Sequence, residues 1–176
     1  MKALKIIKIF LLLIICHSVS AQKYISKEGT ISFFSDTPLE DISAINKKVS
    51  SVYDSKSNEI VFQLQIEDFI FPKPLMQEHF NENYLESDIF PRSLFVGKVI
   101  QNKNGRSIVV GELSMHGKTN RIKAEGSLKK EDDKVIISSE FIVKLEDYNI
   151  EIPKIVMYKI AEEIEIKVEI ELKEIK

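Results

Sequence analysis

The chain has 176 residues, with 25 basic against 27 acidic side chains, one cysteine and no tryptophan. Its near balance of charge argues against the basic face that nucleic-acid binding needs, and a single cysteine excludes a disulfide framework. With 44% hydrophobic residues it can still bury one sizeable core.

From the N-terminus, Lys2, Lys5 and Lys8 precede an unbroken apolar run from Ile9 to Ile15, and Val19-Ser20-Ala21 supplies small residues at the spacing a signal peptidase reads. The run is well short of the ~20 residues a membrane-spanning helix needs. Cleavage is expected after Ala21, making 1–21 a signal peptide and 22–176 a mature domain that is periplasmic or secreted, with no transmembrane anchor. Losing the leader removes three lysines and no acid, which takes the net charge from −2 to −5. It also removes Cys16, so the mature chain must be held together by burial alone. No linker, low-complexity tract or repeat divides the remainder.

The first period-two runs fall near 25–35 and 49–54. In the next, near 60–70, Phe62, Leu64 and Ile66 alternate with Gln63, Gln65 and Glu67. The pattern changes after Pro74. Met76, Phe80 and Tyr84 recur at i, i+4 and i+8, one stripe of a helix, with Gln77, Glu78, Asn81 and Glu82 on the wet side and Pro91 ending it. Strands resume near 93–101 and 106–115, divided by Asn102-Lys103-Asn104-Gly105, in which Asn-Gly marks a hairpin. His116-Gly117-Lys118-Thr119-Asn120 leads to a run near 121–130, and Glu131-Asp132-Asp133-Lys134 to one at 134–146. In the last, near 163–175, Ile164, Ile166, Val168, Ile170 and Leu172 alternate with Glu and Lys, the mark of a half-buried strand.

About eight strands with short turns favour antiparallel neighbours. Their apolar face must be covered, either by closing the sheet into a barrel or by a second sheet. The amphipathic helix either covers an open barrel end as a lid or completes the core from the surface.

Two blocks carry a resemblance. One is Met76-Gln77-Glu78-His79-Phe80 leading to Tyr84-Leu85-Glu86-Ser87-Asp88 and then Pro91-Arg92-Ser93-Leu94-Phe95; the other is Gly111-Glu112-Leu113-Ser114-Met115-His116-Gly117-Lys118-Thr119. In this order, behind a signal peptide, they resemble the YceI-like family of exported lipocalin-like proteins that hold a polyisoprenoid or related long-chain lipid. The resemblance implies an all-β protein, an antiparallel eight-stranded lipocalin-like barrel with a short helical lid, a long apolar lumen and often a homodimer. It implies no catalysis and no cofactor. The expected partner is a long-chain apolar lipid: an isoprenoid, a quinone or an acyl chain.

The chemistry available to an enzyme is thin. The mature chain keeps two histidines, His79 and His116, and no nucleophile, phosphate-loop or zinc motif surrounds them. Each is more simply a turn or helix-edge residue. The candidate ligand-binding residues are therefore apolar. Phe33, Phe62, Phe95, Leu113, Met115, Phe141 and Val143 face inward, with Met76, Phe80 and Tyr84 beneath the lid. A partly empty lumen would make these a lipid pocket. A filled one would make them a core, in a protein acting through its surface or dimer face.

Overall fold

A computed structural model describes residues 22–35, 41–152 and 161–175. The expected leader, 1–21, lies outside the described residues, as does Pro153. The alternating runs form eight strands in chain order: β1 (Lys23–Ser35), β2 (Ile42–Asp54), β3 (Glu59–Gln65), β4 (Arg92–Lys103), β5 (Arg106–Met115), β6 (Lys118–Glu131), β7 (Lys134–Lys144) and β8 (Glu163–Glu174). Each pairs antiparallel with the next, and β8 closes onto β1. The sheet is a closed barrel, as predicted, and not a sandwich. In β8, Ile164, Val168, Ile170 and Leu172 are buried, whereas the glutamates and lysines between them face water. Closure gives the isoleucine row a dry face and leaves no strand with a wholly unpaired edge.

The barrel's two ends differ. Three hairpins close one end, turning at Asn58, at Asn104-Gly105 and at Asp132, all with left-handed backbone at φ 58°, 53°, 77° and 50°. Asn, Asp and Gly tolerate that region best, which is why these tight turns carry them. Tyr24, Val135 and Leu172 pack beneath them with no solvent exposure. The other end carries the β1–β2 and β7–β8 connections and the long segment 66–91 between β3 and β4. The β5–β6 turn at this end is only His116-Gly117, with φ 50° and 72°, so Lys118–Asn120 belongs to β6 rather than to a five-residue turn.

Other boundaries also depart from the sequence expectation. β2 begins at Ile42, not near 49, because a register shift between Asn46 and Val49 moves the inward positions from Ala44 and Asn46 to Val49, Ser51 and Tyr53. A period-two reading sees only the second half of such a strand. Asn46 holds the shift. Its Nδ2 donates to the Gln65 carbonyl at 2.9 Å and its Oδ1 accepts from the Lys48 N–H at 2.9 Å. β3 ends at Gln65, and Ile66–Asp68 makes one tight helical turn that leads the chain out of the wall.

The helix is shorter than its stripe suggests. α1 covers Pro74–His79, followed by a wider turn over Phe80–Tyr84, in which the Leu85 N–H reaches back five residues to the Phe80 carbonyl at 2.9 Å. The inserted residue rotates the stripe. Leu85 becomes the buried position, and Tyr84 is only half-buried. Among the described residues no helix is long and apolar enough to cross a membrane.

Candidate ligand-binding lumen

Inward side chains of the strands enclose a cavity of about 160 Å³. All lining residues are apolar except Gln63, Ser93 and Ser139. The two serine hydroxyls are already committed, Ser93 Oγ donating to the Ser114 carbonyl at 3.2 Å and Ser139 Oγ to the Glu125 carbonyl at 2.7 Å. No charged side chain lines the space, so its only means of recognition is displacing water from apolar surface.

Two glycines shape one wall. Gly97 and Gly111 face each other across β4 and β5, and a Cβ on either would come within 2.5–2.6 Å of the Phe95 ring. Their bare backbone lets Phe95 lie flat against the sheet, stacked on Phe62 at 5.9 Å, which keeps the ring out of the centre of the lumen. At the long-connection end, Phe33 from β1, Phe69 and Phe71 from the segment after β3, and Phe80 after α1 form a plug. Ring centroids lie 4.9 Å apart for Phe71–Phe80, 5.4 Å for Phe33–Phe69 and 5.6 Å for Phe33–Phe80. The helical segment thus covers an open end through Phe80, which is the lid arrangement.

A second hollow, of about 900 Å³, opens beside the lid and shares Leu145 and Ile150 with the apolar cavity. Its lining is mixed, with Glu86, Lys118, Lys144, Glu146, Glu151, Glu162 and Glu163 set beside Phe90, Leu145, Ile150 and Ile152. His116 stands at its rim with both ring nitrogens engaged. Nδ1 lies 2.9 Å from the Tyr148 carbonyl and Nε2 2.9 Å from Glu86 Oε2, with Phe90 packed edge-on against the ring at 4.6 Å. The expected turn residue is therefore a strap that ties the end of the lid segment to the β5–β6 turn and the β7–β8 connection. Among the described residues no group of His, Cys, Asp or Glu is arranged to hold a metal ion.

Eight of the ten candidate residues meet on the cavity wall: Phe33, Phe62, Phe80, Phe95, Leu113, Met115, Phe141 and Val143. Met76 and Tyr84 pack against the core from the lid without lining the cavity. Burial pushes the Tyr84 hydroxyl pKa up from its usual value. Ile31, Ile60, Val109 and Ile137 share the wall and follow from extending the same alternation. Phe69, Leu85 and Ile150 do not, since they sit in connections whose path no period describes.

Comparison with known proteins returns the same fold. The model of the YceI-like domain matches residues 21–172. This chain belongs to the YceI-like family. Similar solved structures share its fold at low identity. BcnA from Burkholderia cenocepacia is 14% identical, with a TM-score of 0.73 over 81% of this chain and 95% of its own. A polyisoprenoid binding domain from Saccharophagus degradans, implicated in plant cell wall breakdown, is 9% identical, with a TM-score of 0.74 over 89% of this chain and 100% of its own. The Campylobacter jejuni YCEI protein is 17% identical, with a TM-score of 0.59 over 81% and 85%. No curated protein matches this YceI-like chain.

Proposed function

We propose that this YceI-like protein is exported after cleavage behind Ala21 and holds a long-chain apolar lipid, an isoprenoid, quinone or acyl chain, in its barrel lumen. The observation that carries the reading is a cavity of about 160 Å³ whose wall offers no charge and no free hydroxyl. An engineered cavity of about 150 Å³ with such a lining stays dry and takes up benzene. As it stands the lumen therefore suits one ring or one branched five-carbon unit, and a longer chain must displace the phenylalanine plug. Each buried CH₂ contributes about 0.8 kcal/mol, so a long chain gains enough to do so. The reading needs no catalytic step, and the family's binding character supports it.

The outer surface supports the homodimer expected from the family. Ile25, Val52, Val61 and Val96 face each other in register across β1 to β4 on the outside of the barrel, where a second copy would cover them.

Native mass spectrometry of the protein purified from its own exported fraction, followed by organic extraction, tests the carrier. The expected result is a bound mass in the lipid range that extraction removes. A ligand-free mass, together with no uptake of added prenyl or acyl chains, would make the lumen a packed core.

A further inference from the structure

The barrel wall has two unpaired seams at the lid end, one between β6 and β7, where pairing stops at Glu125–Glu140, and one between β2 and β3. β2 pairs with β3 only from Ser50 to Asp54, so its half nearest the lid, from Ile42 to Val49, has no strand on that side. A single bridge replaces the ladder. The Ile45 N–H donates to the Ile70 carbonyl at 3.1 Å and the Ile70 N–H to the Ile45 carbonyl at 2.9 Å, with the Asn46–Gln65 side-chain bond beside them. Beyond Ile70, the Phe71 N–H reaches the Gln77 amide oxygen at 3.3 Å.

A largely apolar groove of about 590 Å³ lies outside this seam, with Phe34, Ala44, Ile45, Ile70 and Pro72 in its walls. Phe33 lines both the groove and the lumen, and Phe71, 5.6 Å from Phe33 between ring centroids, forms the adjoining wall. Two side chains therefore separate the lumen from an apolar approach. The other way in, through the hollow beside the lid, is lined by carboxylates and strapped by His116. That hollow sets Phe90 and Ile152 among many charges, whereas the groove along the seam is mostly apolar, with Ser32, Ser43, Glu165 and Lys167 at its margins.

We propose that the lipid chain enters sideways, between β2 and the Ile70–Pro72 segment, as Phe33 and Phe71 swing aside. This rests on the carrier reading above and adds the route. It makes Ile45, Phe71 and the Ile45–Ile70 bridge determinants of the rate of exchange rather than of affinity.

The test is a removable staple. Cys16 in the leader is the only native cysteine, so Ile45→Cys with Ile70→Cys is a clean pair. Facing residues of an antiparallel hydrogen-bonded pair lie about 5.5 Å apart at Cα, within disulfide range. A matching pair, Lys98→Cys with Val110→Cys, staples β4 to β5 away from the seam. Uptake of all-trans-retinol, an isoprenoid alcohol, is followed by its own fluorescence in the full-length mature protein, oxidised and reduced. Oxidised seam-stapled protein should take it up roughly tenfold more slowly or worse, with the reduced rate restored by dithiothreitol and the control staple without effect. Phe71→Ala, which removes one leaf of the gate, should speed uptake and release by similar factors. Unchanged uptake through a closed seam, or equal slowing by both staples, overturns the route while leaving the carrier standing. No uptake by the reduced or wild-type protein overturns the carrier, and the route with it.

Discussion

The two ends of the barrel use the same eight strands for opposite purposes. At the hairpin end, short turns bring the strands together over fully buried Tyr24, Val135 and Leu172, and the Tyr53 hydroxyl donates to Asn58 at 3.2 Å. At the lid end, Phe33 of β1 meets rings of the 66–91 segment in a plug, and a few contacts hold the segments in place, among them the Ile45–Ile70 bridge and the Lys48–Asp68 ion pair on one side and the His116 strap on the other. Short loops with dense packing leave little that can open without global unfolding, whereas a segment held by a few bonds can open locally. Stability is thus concentrated at one end, and the proposed access lies at the other.

The largest effect that sharpens this contrast is expected from Leu172→Ala. Leu172 has no exposed surface, so truncation should cost about 3–5 kcal/mol of unfolding free energy and leave an unfilled space at the closed end. Urea unfolding would show a lower midpoint with an unchanged slope. Phe80→Ala at the open end should cost less, about 1–2 kcal/mol, because Phe80 is half-buried and its neighbours can close over the gap. It should raise the binding of an apolar dye, which Leu172→Ala should not. If the two variants changed stability equally and neither changed dye binding, the division of labour between the ends would be wrong.

The smallest effect is a pH dependence common to both ends. Burial pushes the Tyr53 hydroxyl at the closed end and the Tyr148 hydroxyl at the open end above the usual tyrosine pKa, with Asp147 adding to the shift at Tyr148. A folded value above the unfolded one means that the folded state binds more protons. Stability is therefore fully present below about pH 10 and falls as the pH rises through that range. Tyrosinate absorbance should lag behind that of a denatured control on alkaline titration, then rise together with loss of secondary structure.

Alternation made most of the barrel legible. β8 and the inward row of β3 could be traced residue by residue, because a side-chain period of two has only two phases and one face must be dry. Legibility failed where the phase slipped. The bulge after Asn46 hid half of β2, and the wide turn after His79 exchanged Tyr84 for Leu85 at the buried position. Each adds a residue that a fixed period cannot register. His116 was invisible as a strap, since its partners Glu86 and Tyr148 lie 30 and 32 residues away in the chain.

The sequence by itself determined the class of structure, the apolar character of the lumen and most of its lining, because these depend on local periodicity and on residue type. Only the tertiary structure decided how far the lumen is filled, which segments plug it and where the wall is weakest. Those properties come from contacts between connections that are distant in sequence, and no local pattern encodes the distance between two rings or the strand that a bulged neighbour fails to reach.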